Sequence, residues 1–188
     1  MKRLITVVAV VGLLVAASAT AQDHKGHDHG EAAMAKDGGV KGEWASNLDY
    51  ATEKLLQLAE AVPEEKYTWR PAEGVRSFSE AFLHAAGANY FIPTFVGVKA
   101  PQGMEMESFE TSTTKKAEVI AAMKKSIEHV KAAVHAMPDA DMDVKATWFL
   151  GEGSKREILY FLAAHNHEHL GQMIAYARMN GIAPPWSK

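Results

Sequence analysis

Apolar residues recur at helical spacing in four separate segments of this chain, and this periodicity is the feature that most restricts its fold. The segments span about residues 41–62, 77–97, 113–137 and 154–180. Each is long enough for an amphipathic helix. No segment of the sequence shows a clear two-residue period of the kind that predicts a strand. We therefore predict an all-α fold, specifically a four-helix bundle.

The ends of these segments carry residues that commonly start and stop helices. Ser77 is followed three residues later by Glu80, and Ser154 by Glu157, so each pair predicts a reciprocal capping box. We expect Pro93 to kink or end the second helix, because proline lacks a backbone N–H. The predicted bundle domain covers residues 42–183, and residues 184–188 form a C-terminal tail.

The N-terminus has the pattern of an export signal. Lys2 and Arg3 precede the apolar run LITVVAVVGLLVAA, and small residues follow it up to Ala21. A basic start, an apolar stretch and a small-x-small end are typical of a secretory signal peptide. We predict a signal peptide at residues 1–21 and a mature protein in the periplasm or secreted, without stable membrane insertion. The alternative is a retained N-terminal anchor, since the run is only slightly shorter than a membrane span.

Residues 22–41 are rich in glycine, aspartate and histidine and poor in large apolar residues, which predicts a flexible linker. His24, His27 and His29 offer imidazoles that could hold a transition metal loosely. The alternative is a solvated polar tether. We favour the tether, because a flexible tract does not fix the geometry of its ligands.

Charge and cysteine content exclude several classes of function. The chain has 20 basic and 23 acidic residues, and loss of Lys2 and Arg3 with the signal leaves 18 against 23, a net charge of −5. An acidic protein has no electrostatic reason to bind nucleic acid, so we expect no nucleic-acid partner. The absence of cysteine excludes disulfides, thiolate ligands and a protein thiol nucleophile.

The stretch HNHEHLGQ, residues 165–172, places histidines on the last predicted helix. His165 and His169 are four residues apart, so they share one helix face, with about 5–6 Å between Cβ atoms. His167 falls on the opposite side, and we expect it to face solvent. Two buried imidazoles need partners for their ring nitrogens, and a metal ion would supply one for each.

A metal needs more than two protein ligands, and His84 is the best third candidate. It lies midway along the second helix beside its apolar face, whereas His129 and His135 are expected at the surface. Asn166 stands where a zincin has its catalytic glutamate, and the chain has no Glu-x-x-His pair of the di-iron type. The residues favour a mononuclear three-histidine site for Zn²⁺, with Ni²⁺ or Fe²⁺ as alternatives.

The stretches RPAEGVRSFSEAFLHAAGAN and HNHEHLGQ resemble the DinB-like family of metal-binding four-helix bundles, over residues 42–181. The resemblance assigns the family's metal ligands to His84, His165 and His169. Gln172 matches the glutamine that usually follows the last ligand, and we place it behind the ligands. The family resemblance also implies an internal pocket with the metal at one end, and often a homodimer. Some relatives are transferases or isomerases that depend on bacillithiol, mycothiol or glutathione.

Three functions remain open from the sequence. The first is a metal-dependent enzyme, either a hydrolase or a thiol-dependent transferase, acting on an unidentified small molecule. The second is a non-catalytic periplasmic protein that binds metal or a small ligand, and the third is a bundle whose metal only joins helices. Thiol transfer is weakened by the export signal and by the scattered placement of Arg70, Arg76, Arg156 and Arg178.

Overall fold

The computed structural model describes residues 38–187, so the predicted signal peptide and most of the predicted linker lie outside the described residues. The helices are α1 (Val40–Ala61), α2 (Phe78–Phe91), α3 (Met106–Glu110), α4 (Lys116–Ala136) and α5 (Lys155–Met179). Three 3₁₀ turns lie between them, at Glu64–Lys66, Ile92–Val96 and Asp139–Asp143. The all-α prediction is confirmed.

Both predicted capping boxes form. Glu80 donates its backbone N–H to Ser77 Oγ at 3.3 Å, and Ser77 donates its own N–H to Glu80 Oε2 at 2.7 Å. Ser154 and Glu157 repeat this exchange at the start of α5. The two helices that carry the candidate histidines are thus fixed at their N-terminal ends by residues that the sequence identifies.

Pro93 ends the regular part of the second helix, as predicted. The α-helix stops at Phe91, and the chain continues as the 3₁₀ turn Ile92–Val96. Gly97 then closes this turn with φ 95°, a left-handed conformation that favours glycine.

The bundle is not arranged in simple up-and-down order. α5 packs against both α1 and α2, and α4 also packs against both α1 and α2. The order around the bundle is therefore α1, α5, α2, α4, with the consecutive helices α1 and α2 on a diagonal. This arrangement brings the facing sides of α2 and α5 into contact, where the candidate histidines lie.

Two elements were missed in the sequence. An antiparallel hairpin pairs β1 (Lys145–Trp148) with β2 (Gly151–Ser154), and Trp148 lies opposite Gly151. The segment predicted as a linker between α2 and α4 contains the short helix α3. Each strand has four residues and α3 has five, so none of them is long enough to show a clear period.

Buried apolar residues form two clusters along the bundle. One cluster includes Phe78, Phe82 and Met173, and the other includes Trp44 and Leu162. Trp186, in the segment predicted as a tail, packs against the first cluster. Within residues 38–187, no helix combines the length and the apolar character needed to cross a bilayer.

A layer of buried polar side chains lies between α2, α4 and α5. Asn166 donates to Asn89 Oδ1 at 3.0 Å, and Asn89 donates to Ser126 Oγ at 3.1 Å. All three residues are buried. Asn166, at the position where a zincin has its catalytic glutamate, therefore links α5 to α2 through a buried hydrogen bond.

Candidate metal centre

His84, from α2, meets His165 and His169, from α5. The Nε2 atom of His165 lies 3.3 Å from His84 Nε2 and 3.2 Å from His169 Nε2. The three side chains are half-buried to buried, and their ligand nitrogens lie within 4.8 Å of one another. The structure thus brings together all three histidines predicted to form the site.

A chain of hydrogen bonds determines which nitrogen of His169 carries the proton. Tyr176 donates its hydroxyl proton to the carbonyl oxygen of Arg76 at 3.1 Å, so it accepts from Gln172 Nε2 at 3.0 Å. Gln172 therefore turns its Oε1 to His169 Nδ1, at 2.8 Å. Because a carbonyl oxygen only accepts, Nδ1 of His169 carries the proton and its Nε2 presents a lone pair. Gln172 thus lies behind His169, the position that the family resemblance predicted for it.

The ring of His84 is fixed in the same way by a residue that the sequence did not identify. Its Nδ1 donates to Glu110 Oε1, in α3, and Arg76 Nε donates to Glu110 Oε2 at 2.9 Å. Burial alone would raise the pKa of Glu110, but the hydrogen bonds from Arg76 and His84 hold it below its usual range. The carboxylate therefore stays ionised and accepts from Nδ1, which turns the Nε2 atom of His84 toward His165.

Neither partner could be found from sequence spacing. Glu110 lies in a segment that reads as a linker, and Arg76 lies 34 residues before it. Only the fold of α3 onto α2 brings Glu110 to His84. Arg76 takes part in both hydrogen-bond networks. Its guanidinium donates to Glu110, behind His84, and its carbonyl oxygen accepts from Tyr176, behind His169.

His165 differs from the other two histidines. Its Nδ1 is buried and has no hydrogen-bond partner among the described residues. Burial, with the neighbouring His169 and His84, lowers the pKa of His165 to about 3. Burial likewise lowers the pKa of His169, although the hydrogen bond that its Nδ1 donates to Gln172 acts in the opposite direction. At neutral pH both rings are uncharged, which is the form that binds a metal.

A cavity of about 740 Å³ opens beside this group. His84, His165 and Glu110 form part of its wall, and most of the remaining wall is aromatic, aliphatic or methionine side chains. The histidine group is therefore accessible from one side and enclosed by the bundle on the others. This combination of a mostly apolar cavity and a few convergent polar groups is typical of ligand sites.

Comparison with known proteins agrees with this architecture. The family model described as the DinB superfamily matches residues 47–173, more than half of the chain. The chain belongs to the DinB superfamily. No curated protein matches the sequence.

Two solved structures show that the whole bundle has the DinB fold. A DinB-like protein from Bacillus cereus ATCC 10987 superposes with a TM-score of 0.67 at 19% identity, covering 76% of this chain and 93% of its own. A DinB-like protein from Bacillus subtilis gives a TM-score of 0.60 at 19% identity, covering 74% and 92%. At these identities the likeness establishes the fold and not a function.

The nitrogen geometry of this DinB member fits a metal ion. Two nitrogens bound to one tetrahedral Zn²⁺ at about 2.0–2.1 Å lie about 3.3 Å apart, and the two observed separations are 3.3 and 3.2 Å. The Nε2 atom of His169 presents a lone pair to this group, and the Nε2 atom of His165 lies within reach of both other histidines. A divalent cation among the three Nε2 atoms would pair with such lone pairs.

The other folded histidines of this DinB member lie apart from the group. His167 is half-buried against α1, with its Nε2 3.1 Å from the carbonyl oxygen of Asn47 and its ring stacked on Tyr50. The prediction that His167 faces solvent was wrong, because α1 covers that side of α5. His129 is also half-buried, against Tyr90, whereas His135 is exposed as expected.

Proposed function

We propose that this protein is a mononuclear metal-dependent hydrolase of a small-molecule substrate, with Zn²⁺ held by His84, His165 and His169. The observation that carries the proposal is the convergence of three histidine side chains, two of which, His84 and His165, form part of the wall of a cavity. Three protein nitrogens leave at least one coordination position open, which is the arrangement of catalytic rather than structural zinc sites. We further propose export, based on the pattern of residues 1–21.

The residues of the chain have separate roles in this proposal. A bound Zn²⁺ would supply a Lewis acid and lower the pKa of a coordinated water toward neutrality. His84, His165 and His169 hold the ion. Gln172 and Glu110 keep two of the rings oriented and in the correct tautomer. The cavity wall orients the substrate and excludes bulk water.

The cavity does not favour the thiol-dependent transfer known in some relatives. Glutathione and similar thiols carry carboxylates, which cationic side chains would have to pair. The described lining of the cavity contains no lysine or arginine. Arg76, the arginine beside the triad, already makes an ion pair with Glu110 at 2.9 Å.

One observation favours the second candidate, a non-catalytic binding protein. A hydrolase commonly has a free carboxylate or histidine near the metal as a general base. Glu110 is the carboxylate closest to the group, and both of its oxygens are engaged, one by His84 and one by Arg76. In a pure binding protein these bonds would only support the metal ligands.

The test combines metal content with turnover. Purified mature protein should retain about one equivalent of metal by elemental analysis, and His169→Ala should lose it. His167→Ala is the matched control, because it removes a neighbouring histidine that lies on the other side of the helix. Metal-dependent hydrolysis of ester, amide or lactone substrates by the wild type and by His167→Ala supports the hydrolase. Stoichiometric metal without hydrolysis across such a panel supports the binding protein, and equal metal content in both variants contradicts the site.

A further inference from the structure

We propose that the cavity beside the histidines selects small molecules with an apolar, ring-sized tail that is uncharged or cationic, and that it rejects anionic tails. The orientation of such a ligand, with its polar group toward the histidines, rests on the proposed function. The selection by tail does not, since it follows from the cavity wall alone.

Aromatic rings line a continuous path from the histidines to the surface. The ring centroid of Phe161 lies 6.3 Å from His165, and that of Phe149 lies 5.7 Å from Phe161. Phe149 is 53% exposed, at the turn of the β1–β2 hairpin, so the path ends in solvent. Phe91, which also lines the cavity, is 41% exposed, so the mouth of the cavity presents apolar surface to solvent.

The rest of the apolar wall is largely aliphatic and adaptable. It includes Ala88 and Ile92 from the second helix region, and Met104 and Met106 from the segment around α3. Methionine is unbranched and polarizable, so it can adjust to ligands of different shape. A wall that combines aromatic rings with methionines fits a flat or ring-containing tail. The volume of about 740 Å³ lies within the range of about 300–1,000 Å³ that small-molecule sites occupy.

The charges at the wall are acidic. The two ionisable residues of the described lining, other than the histidines, are Glu105 and Glu110. Arg76 neutralises Glu110, whereas Glu105 is exposed and makes no ion pair with the described residues. An anionic tail would therefore lose its hydration against apolar side chains without gaining a cationic partner. A cationic tail meets Glu105 and the faces of phenylalanine rings, both of which attract it.

The experiment uses three hydroxamates that share one metal-directed head group. Their tails are phenylalkyl, phenylalkyl with a terminal ammonium group, and phenylalkyl with a terminal carboxylate. On zinc-loaded full-length mature protein, calorimetry should rank the carboxylate tail at least about tenfold weaker than the other two, because its charge is left unpaired. Equal or tighter binding of the carboxylate tail would overturn the proposal.

Single-residue variants test whether the cavity wall is responsible for the selection between tails. Glu105→Lys should remove most of the discrimination against the carboxylate tail. Glu107→Lys is the matched control, since Glu107 is exposed in the first turn of α3, close to Glu105 in the chain, and is not part of the lining. Phe161→Ala should weaken the phenylalkyl hydroxamate but not acetohydroxamate, which has no tail. If both lysine variants change the selectivity equally, the wall does not determine it.

Compounds that carry the same tails but no hydroxamate test the cavity selection independently of the proposed metal site. Phenylpropanol, phenylpropylamine and phenylpropionate are titrated by NMR into chelator-treated protein, where resonances of the cavity residues report binding. If the hydroxamates fail to bind but phenylpropionate remains the weakest of the three, the metal proposal fails and the cavity selection stands. If phenylpropionate binds as well as the amine there, the cavity selection fails whatever the metal does.

Discussion

At the scale of single residues, Arg76 links the supports of two candidate ligands. Its carbonyl accepts the hydroxyl proton of Tyr176, which orients Gln172 toward His169. Its guanidinium holds Glu110 ionised against His84. Partners behind metal-binding histidines fix the tautomer and the ring orientation, and their loss commonly weakens metal binding by about 10–100-fold. We expect loss of the Glu110 carboxylate to weaken metal binding within the same range.

Replacing Glu110 by glutamine should therefore weaken zinc binding by about 10–100-fold, because a neutral amide holds His84 less firmly than a carboxylate. The measurement is competition for zinc against a chromophoric chelator. Glu107→Gln, on the same short helix but away from His84, is the control and should bind zinc as the wild type does. Unchanged affinity in Glu110→Gln would show that the contact with His84 does not support metal binding.

The burial of His165 should make the metal-free protein sensitive to acid. Its pKa is about 3 in the folded state, against an ordinary value of 6.5. Between these values the unfolded chain binds more protons, so the free energy of unfolding rises with pH. The stability that depends on a neutral His165 is thus present above about pH 6.5 and is lost as the pH falls.

With chelator present, urea denaturation from about pH 7 to about pH 5 should show a smaller loss of stability in His165→Gln than in the wild type. For each pH unit below 6.5, the wild type should lose up to about 1.4 kcal/mol more unfolding free energy than His165→Gln. His135→Gln, which changes an exposed histidine, should follow the wild type. The interpretation fails if His165→Gln and the wild type lose stability in parallel.

At the scale of elements, the short helix α3 depends on a glycine in α2. A Cβ atom at Gly87 would lie 2.8 Å from Met106 Sδ and 3.3 Å from Phe109 Cδ1. Gly87 follows His84 by three residues, so both lie on the same side of α2. The glycine therefore lets α3 pack closely where its last residue, Glu110, reaches the histidine.

Gly87→Leu should destabilise the protein by about 1–3 kcal/mol, since it overpacks the α2–α3 contact. It should also weaken zinc binding, as Glu110→Gln should, because displacement of α3 takes Glu110 away from His84. Gly171→Leu is the matched control: it places the same side chain in α5, where a Cβ meets nothing within 4 Å. Leucine there should be neutral or stabilise by up to about 1 kcal/mol, through helix propensity. Equal unfolding midpoints for the two variants would contradict the role of Gly87.

At the scale of the whole molecule, the histidine group lies where the two apolar clusters of the bundle meet. On α5, Leu162 and Ala163 precede it in one cluster, and Leu170 and Met173 follow it in the other. A cation bound by α2 and α5 together would cross-link two helices that are far apart in sequence. Because the unfolded chain does not hold these ligands together, metal binding should stabilise the folded state.

Zinc at a free concentration of 100 times Kd should stabilise the wild type by about 2.7 kcal/mol. Thermal melting with and without a chelator measures this contribution as a shift in Tm. His167→Ala should show the same shift as the wild type, whereas His169→Ala should show none. Equal responses to chelator in wild type and His169→Ala would leave the three-histidine site without support.

The sequence by itself determined the four long helices and the identity of the three histidines. Long helices repeat a period over many residues, and Ser77 with Glu80 or Ser154 with Glu157 mark their starts by local hydrogen bonds. The spacing of His165 and His169 is likewise set within one helix. Such features depend on neighbours in the chain, so they can be read without the fold.

The tertiary structure alone decided what surrounds these histidines. Glu110 and Arg76 support the site through contacts between segments 26 to 34 residues apart, in elements too short to show a pattern. The burial of His167 depends on α1, which lies 120 residues away at Asn47. The cavity depends on the placement of a hairpin and of α3. These contacts arise from packing between distant segments, and a local sequence pattern does not encode which distant segments meet.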